Sequence, residues 1–297
     1  MNDSDNRAHP SSEWTVTLDS SGTDPLDPAR FEEAMRCPAY PRASVYDPSW
    51  VFRNLMGPNC LWLLEDLLAH MPIAPGMRVL DLGCGSALTS IFLARECGAE
   101  VWAADLWIDP ADNSARAEEA EVAERLFPLR VEARTLPFAP CFFDSVVSVD
   151  AYHYFGTDVR YLSYLAQFVK PGGRIGIAVP GNAVDPDDGP PPSAELFEET
   201  GADWFTFRSA SWWRRHFERT RGIVVEEAAM VETGDDLWGR HLDAVEAWRG
   251  IPRAQQFEGR LLASPGGRTF GFCRVVARRG EERSLVFGPG EYAGRIA

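Results

Sequence analysis

The segment at residues 79–90, VLDLGCGSALTS, constrains the fold of this chain more than any other. A short apolar strand turns here directly into a helix, and Gly83 and Gly85 permit the positive φ angles and the close ligand approach that such a turn requires. Apolar residues recur at helical spacing after the turn, and a second apolar strand, EVWAADL, follows. The order of strand, turn, helix and strand predicts a βαβ unit.

The alternation of short apolar strands and helices continues to residue 180. After the βαβ unit we expect a helix near residues 114–126, a strand LRVEA, a strand SVVSVD, a helix over 158–169, a PGG turn and a strand RIGIAV. This alternation is typical of an α/β fold whose doubly wound parallel sheet is covered by helices on both faces.

The segments outside this core carry weaker patterns. Residues 31–58 mix aromatic with turn residues and predict an irregular stretch, which leads into a leucine-rich helix. The Pro- and Asp-rich residues 181–199 predict a long loop or lid, followed by an aromatic segment, a strand, an acidic helix and a late strand. The predicted organisation is a disordered lead (1–28), one domain (29–280) and a tail (281–297), the domain comprising an N-terminal lid and helix (29–75), a cofactor-binding core (76–180), a substrate or lid region (181–250) and the final strands (251–280).

Charge and composition argue against several classes of partner. The net charge is -15 and no stretch is basic, which disfavours nucleic acid. No apolar run approaches the roughly 18 to 20 residues of a membrane span, and the polar N-terminus lacks a signal-peptide segment, so we expect a cytoplasmic protein. The six cysteines show no CxxC spacing and are expected to be free thiols without a metal site. Lys170 is the only lysine among 29 basic residues, which indicates a GC-rich bacterial genome.

Two acidic residues and the spacing of the glycines indicate the ligand of the turn. A dinucleotide-binding fold has a third glycine where this chain has Leu88, which argues against NAD. Asp105 ends the second strand, 24 residues after Asp81, where a carboxylate can accept hydrogen bonds from both hydroxyls of a ribose. The pattern therefore predicts a cofactor that carries adenosine.

The ordered motifs LDLGCG, AADLW, RTLPF, FFDSVVSVDAYHYF and VKPGGRIGIAV resemble those of the class I S-adenosylmethionine-dependent methyltransferases, over residues 45–180. The resemblance implies a Rossmann-like sheet of seven strands, mostly parallel with an antiparallel last strand, and helical and loop additions that form a lid. It also implies S-adenosyl-L-methionine as the cofactor. Within that class, the chain is similar to bacterial proteins labelled cyclopropane-fatty-acid-synthase-like.

The resemblance further implies roles for individual residues. The implied cofactor-binding residues surround the methionine, ribose and adenine parts of the cofactor: Asp81, Gly83, Cys84, Gly85, Asp105, Leu106, Glu132 and Ala133. Glu132 stands near the adenine amine, where the family usually has Asp, and an ordinary strand-end acid is the alternative. Tyr46 lies in the segment that related enzymes fold over the cofactor, where its ring would attract the sulfonium through a cation–π interaction or would only pack.

Methyl transfer from a sulfonium is an in-line displacement, so alignment should contribute more than acid–base chemistry. Good alignment contributes roughly 7 to 11 kcal/mol, whereas a general base contributes roughly 3 to 5 kcal/mol. The candidate base is His153, in the loop after the fourth strand, and a histidine hydrogen-bonded within that loop is the alternative. The resemblance implies that Asp150, which ends that strand, faces the methyl group and the substrate. Tyr152 would line the site or pack.

Aromatic residues are the candidates for substrate binding: Tyr154, Trp204, Phe207, Trp212 and Trp213. They suggest a hydrophobic or planar acceptor, although aromatic side chains fill cores as readily as pockets. Arg214 and Arg215 would hold an acidic group of that acceptor or lie on a solvated face.

The expected function is therefore methyl transfer to a small, hydrophobic or aromatic molecule of bacterial secondary metabolism, without a metal. A homodimer is left open. One alternative is C-methylation or cyclopropanation of an alkene. The other is a non-catalytic protein that binds an adenosine ligand or a partner.

Overall fold

Seven strands form one sheet in this computed structural model, which describes residues 24–189 and 193–281. The strands are β1 (Arg78–Leu82), β2 (Glu100–Asp105), β3 (Leu126–Arg130), β4 (Phe143–Val149), β5 (Val169–Asn182), β6 (Ile223–Met230) and β7 (Phe270–Arg279). Their order across the sheet is β3-β2-β1-β4-β5-β7-β6. Most of the predicted lead, residues 1–23, and most of the predicted tail, residues 282–297, lie outside the described residues.

The pairing of the strands confirms the predicted sheet. Strands β1 to β5 pair in parallel, whereas β7 is antiparallel to both β5 and β6. The chain winds outward in both directions from the neighbouring strands β1 and β4, so the carboxyl ends of these two strands open the crevice at which such sheets bind ligands. Leu82 and Val149, the last residues of β1 and β4, both line a cavity there.

Ten α-helices within the described residues pack around the sheet. They are α1 (Pro28–Met35), α2 (Pro48–Asn54), α3 (Cys60–His70), α4 (Leu88–Cys97), α5 (Pro110–Glu119), α6 (Tyr161–Leu165), α7 (Ala194–Thr200), α8 (Ala210–Glu218), α9 (Gly234–Arg249) and α10 (Phe257–Ala263). One hydrophobic core draws mainly on α1 to α4 and α9, and a second draws mainly on α6 and α8. Over the part of the chain that the structure describes, no helix is both long and apolar enough to cross a lipid bilayer.

Three element boundaries differ from the sequence predictions, and a helix cap explains the first of them. Helix α5 begins at Pro110 rather than near 114, because the Asp109 carboxylate caps it by accepting a hydrogen bond from the Ala111 N–H (2.8 Å). The helix ends at Glu119, shortly before Glu121, whose φ angle of 59° is incompatible with a right-handed helix. Strand β3 begins at Leu126, three residues before the predicted LRVEA strand. Helix α6 covers only Tyr161–Leu165 of the helix predicted over 158–169, and a short 3₁₀ turn follows it.

The segments predicted to be irregular contain further capped helices. The stretch 31–58 includes most of α1 and all of α2. Each of these helices is capped by an aspartate and has a proline as its first residue, Asp27–Pro28 in α1 and Asp47–Pro48 in α2. The predicted loop at 181–199 contains the last residues of β5 and most of α7, whose cap is the Ser193 hydroxyl. Both Asp–Pro pairs were visible in the sequence, but Asp27–Pro28 was assigned to the predicted disordered lead and Asp47–Pro48 to the irregular stretch.

A nearly buried ion-pair cluster links α3 to the strands β6 and β7. Arg274 of β7 is 6% exposed and donates hydrogen bonds to Asp66 of α3 and to Glu227 of β6. The Tyr40 hydroxyl donates a further hydrogen bond to Asp66 (3.3 Å). Three segments that are distant in sequence therefore meet at one guanidinium.

Arg274→Met is expected to lower the free energy of unfolding by about 3 kcal/mol or more, because it leaves the Asp66 carboxylate in a nearly buried position without its cation. Arg278→Met is the matched control on the same strand. Arg278 pairs with Glu226 in a more exposed position, and its loss should cost less than about 1 kcal/mol. Urea denaturation followed by circular dichroism measures both variants, and equal losses would contradict the account of this ion pair.

Candidate active site

The turn after β1 brings bare backbone to the carboxyl edge of the sheet. Gly83 and Gly85 have positive φ angles of 74° and 53°. The N–H groups of Gly83 and Cys84 both donate to the Ala104 carbonyl in β2, at 2.8 and 3.2 Å. A Cβ atom on Gly83 would lie 2.4 Å from the Ala151 Cβ, so a larger residue does not fit. The turn therefore has the geometry that its glycines predict.

Asp105, the last residue of β2, fastens this turn. Its Oδ2 accepts a hydrogen bond from the Gly85 N–H (2.9 Å), and its Oδ1 accepts two, from the N–H groups of Trp107 (2.8 Å) and Ile108 (3.1 Å). A carboxylate has about four acceptor positions. One position therefore remains for a ribose hydroxyl, where the sequence predicted bonds to both.

Asp81 lies beneath the turn rather than in the cavity. It is 1% exposed, and its Oδ2 accepts hydrogen bonds from the hydroxyls of Thr89 and Ser90, both at 2.6 Å. Burial raises the pKa of Asp81 to about 6. Asp81 is absent from the lining of the cavity, and its contacts instead hold the first turn of α4 against β1.

A cavity of about 440 Å³ opens along this edge, within the usual size range of small-molecule sites. Seven of the predicted cofactor residues line it: Gly83, Cys84, Gly85, Asp105, Leu106, Glu132 and Ala133. Trp107 also lines it and is 55% exposed, although the sequence analysis missed it. Trp107 follows Leu106 directly in the sequence, and this position was the signal that could have identified it as a cavity residue. The lining fits S-adenosylmethionine part by part. The backbone of the glycine turn can contact the methionine part, Asp105 the ribose, and the apolar side chains the adenine base.

The strap, residues 54–60 between α2 and α3, crosses the other end of the cavity. Asp150, which follows β4, has a positive φ angle of 55° and faces this end. A Cβ atom on Gly57 of the strap would lie 2.6 Å from Asp150 Oδ2, so the carboxyl group is enclosed by the strap backbone. Burial, with the nearby charge of Glu258, raises the pKa of Asp150 to about 8. This carboxyl group therefore changes its protonation state close to neutral pH.

The structure does not support His153 as the general base. His153 is 1% exposed and absent from the cavity lining, and its ring packs against Tyr154 (4.0 Å between centroids) and Phe207 (5.7 Å). Burial lowers the pKa of His153 to about 3, which makes the imidazole a poor proton acceptor at neutral pH. Tyr152 is also outside the cavity, because it is fully buried against Trp213.

Most of the predicted aromatic contacts belong to the hydrophobic core. Four of the predicted substrate residues do not line the cavity: Trp204, Phe207, Trp212 and Trp213. Trp204 and Trp213 are buried in the core, and Trp212 stacks on the ring of His216 (4.5 Å between centroids). Of the five predicted substrate residues, Tyr154 alone lines the cavity. Aromatic composition therefore did not distinguish a pocket from a core.

Tyr46 likewise lies away from the cavity. Its ring stacks on Phe92 (5.9 Å) and Trp50 (6.5 Å), and its hydroxyl donates to Glu96 (3.4 Å). The predicted contact between Tyr46 and a sulfonium is therefore replaced by packing of α2 on α4.

The end of the cavity that the strap covers, called the acceptor end below, is predominantly acidic. Burial and the charges of Asp150 and Asp203 together raise the pKa of Tyr154, so both acids lie near this lining residue. The only cation among the lining residues is Arg134, which pairs with Glu132 (3.0 Å). Arg214 and Arg215 are absent from the lining, and Arg214 lies near Glu218 instead (3.8 Å). Within residues 24–189 and 193–281, no three His, Cys, Asp or Glu side chains group closely enough to hold a metal ion.

Known proteins that are similar to this chain include several methyltransferases. Residues 79–173 match a family described as a methyltransferase domain. The chain is 26% identical to 27-O-demethylrifamycin SV methyltransferase of Amycolatopsis mediterranei, over 73% of this chain and 82% of that protein. It is 29% identical to methyltransferase GfsG of Streptomyces halstedii, over 39% of this chain and only 42% of that protein. The solved geranyl diphosphate C-methyltransferase of Streptomyces coelicolor shares the fold, with a TM-score of 0.60 and 18% identity, over 91% of this chain and 96% of that chain.

Proposed function

Since this chain is a class I S-adenosylmethionine-dependent methyltransferase, we propose that it transfers a methyl group to a small molecule whose reacting end is neutral or cationic. The observation that carries the proposal is a single cavity that joins the glycine turn to the carboxyl group of Asp150. S-adenosylmethionine, when bound, supplies a methyl group on a positively charged sulfur. The protein's own residues have to align the acceptor with that group and, where needed, remove its proton.

Each part of the cavity has a distinct task in this proposal. The bare backbone of Gly83 to Gly85 and the carboxylate of Asp105 bind the cofactor. Leu106 and Trp107 offer apolar contact to its base. The strap covers the acceptor end and excludes water from it, and Asp150 accepts a proton from the acceptor at a carboxylate oxygen.

The charge of the acceptor follows from the side chains at its end of the cavity. Asp150 and Asp203 are acidic, and the described lining residues at that end include no cation. An anionic reacting group would lie beside the Asp203 carboxylate and beside the Asp150 carboxyl group, which must ionise before it can accept a proton. No cation there would pair with the charge of that group, which is costly in a partly enclosed site. A neutral hydroxyl, an amine or an ammonium group avoids that cost.

The relatives support a small-molecule acceptor made by bacterial secondary metabolism. The 27-O-demethylrifamycin SV methyltransferase aligns over most of both chains, and its name identifies a small molecule as its acceptor. An aromatic acceptor has little support, because four of the five aromatic residues that predicted it lie outside the cavity lining. C-methylation or cyclopropanation stays a prediction that the acceptor experiment below distinguishes.

The proposal is tested by incubating the full chain with methyl-deuterated S-adenosylmethionine and a metabolite extract of an antibiotic-producing actinobacterium. We expect one or more small molecules to gain a deuterated methyl group, and expect the site of methylation to be neutral or cationic at pH 7. Mass spectrometry identifies the products and their acceptor atoms. Selective labelling of a carboxylate or phosphate oxygen would contradict the charge assignment, and failure of the protein to bind the cofactor would contradict the activity.

A further inference from the structure

A chain of side-chain hydrogen bonds joins the glycine turn to the strap. Asn113 of α5 donates from Nδ2 to the Gly85 carbonyl (2.9 Å). Arg116, almost one helical turn later, donates from Nη1 to Asn113 Oδ1 (2.9 Å) and from Nε to Asn54 Oδ1 (2.7 Å). Asn54 is the first residue of the strap and the last of α2, where its Nδ2 donates to the Trp50 carbonyl (2.9 Å). The bonds therefore run without a gap from the turn, through α5, to the strap.

The strap contacts both functional ends of the cavity. Met56 Sδ lies 2.8 Å from the position that a Cβ atom on Gly85 would occupy, so the strap packs directly on the turn. Gly57 of the strap encloses the Asp150 carboxyl group in the same way. A displacement of the strap would therefore change the turn that binds the cofactor and the surroundings of the candidate base together.

The hydrogen bonds that link the glycine turn to the strap are stronger than ordinary contacts on the protein surface. Asn113 is 2% exposed, and both its amide nitrogen and its amide oxygen are used. Arg116 forms no ion pair with any residue that the structure describes, so its charge is directed at two neutral amide oxygens. Hydrogen bonds from a charged donor are roughly twice as strong as neutral ones. The planar guanidinium can bond to both oxygens at once, which a lysine ammonium cannot match in geometry.

We propose that Asn113 and Arg116 are positioning residues that hold the strap on the glycine turn and thereby couple cofactor binding to closure of the acceptor end. The proposal rests on the proposed function, because it takes this cavity as the cofactor site. Coupling of this kind is reciprocal: if an ordered strap favours the cofactor, then the bound cofactor orders the strap by the same factor.

Two variants and one control variant test the proposal. Arg116→Met and Asn54→Ala each break the series of hydrogen bonds, and Arg125→Met is the control. Arg125 bonds to the Gly98 carbonyl (3.2 Å) away from the cavity, so its loss should change nothing at the strap. Asn54→Asp keeps the oxygen that accepts from Arg116 but loses the donor to the Trp50 carbonyl, so it should fall between wild type and Asn54→Ala. Arg116→Lys keeps the positive charge but loses the planar guanidinium that bonds to two oxygens at once, so it should fall between wild type and Arg116→Met.

Two readouts apply to each full-length variant: the Kd for S-adenosylhomocysteine by calorimetry, and hydrogen exchange of peptides covering residues 50–60. For Arg116→Met and Asn54→Ala we expect the Kd to rise by about tenfold, the strength of one charge-assisted hydrogen bond. We expect faster exchange in these peptides alone, and a smaller decrease of that exchange when S-adenosylhomocysteine is added. The control variant Arg125→Met should match wild type in both readouts.

Three outcomes would overturn the positioning role. One is wild-type strap exchange in both Arg116→Met and Asn54→Ala. Another is faster exchange across the whole chain, which would mean a general loss of stability. The last is faster strap exchange with an unchanged Kd, which would mean that the strap and the cofactor are not coupled. Absence of S-adenosylhomocysteine binding to wild type would instead contradict the proposed function, while exchange of the unliganded variants would still test whether the hydrogen bonds hold the strap.

Discussion

Asp105→Asn is expected to raise the Kd for S-adenosylhomocysteine by about 100-fold or more. The carboxylate accepts hydrogen bonds on both oxygens, from Gly85 on one side and from Trp107 and Ile108 on the other. An asparagine has one acceptor oxygen, so its NH₂ group must face at least one of these N–H donors. The turn and the loop after β2 then cannot both keep their positions, and the remaining acceptor position for a ribose hydroxyl is lost as well.

The size of this effect follows from the number of bonds involved. Hydrogen bonds to a charged group contribute about 1.5 to 3 kcal/mol each. The loss of two of them corresponds to about 3 kcal/mol or more, which is about 100-fold or more in affinity. Calorimetry measures the Kd, and circular dichroism confirms that the variant is folded.

Asp109→Asn is the matched control for Asp105→Asn. It makes the same substitution four residues later, where the carboxylate only caps α5 through the Ala111 N–H. Asparagine is as good a cap as aspartate, so both stability and cofactor affinity should stay near the wild-type values. Equal affinities for Asp105→Asn and Asp109→Asn would show that the Asp105 carboxylate does not organise the cofactor site.

Asp150→Asn is expected to lower kcat by about 10² to 10⁴, the usual contribution of a general base, for an acceptor that loses a proton on methylation. Cofactor affinity should stay within about threefold of wild type, because the amide fills the same space and the glycine turn is untouched. Asp144→Asn is the control at the opposite end of β4, where the carboxylate pairs with Lys170 (2.6 Å) and is distant from the cavity. A steady-state analysis with the identified acceptor separates kcat from KM.

The pH dependence gives a second test of the same residue. Burial raises the pKa of Asp150 to about 8, so the carboxyl group is mostly protonated at pH 7 and cannot accept a proton in that form. The rate should therefore increase with pH, by about tenfold per unit well below the pKa, and level off above pH 8. Asp150→Asn should lack this rising limb. A wild-type profile that is flat between pH 6 and 8, or an unchanged limb in the variant, would exclude Asp150 as the base.

The cofactor half of the site was more predictable from the sequence than the catalytic half. Gly83, Gly85 and Asp105 depend on local backbone geometry, and the residues around them in the sequence are also their neighbours in space. His153 was proposed because it follows β4, but the side chains of consecutive loop residues point in different directions. Asp150 and Tyr154 line the cavity, whereas His153 between them is buried beneath it.

Long-range packing explains what the sequence analysis could not find. Trp204 and Trp213 were predicted to line the pocket because they lie in an aromatic-rich segment. The structure instead buries both side chains in the hydrophobic core. Asn113 and Arg116 carry no motif, and their role depends on Asn54, which is about 60 residues away in the sequence. Only the folded chain brings the strap, α5 and the glycine turn together.

The central claim is that the cavity at the ends of β1, β2 and β4 binds S-adenosylmethionine. A crystal structure of the full chain with S-adenosylhomocysteine tests it most directly. The account predicts that the adenine lies beside Leu106 and Trp107, that a ribose hydroxyl donates to Asp105, and that the sulfur lies at the end of the cavity that holds Asp150. Density for the ligand at another place on the protein, with this cavity empty, would contradict the account.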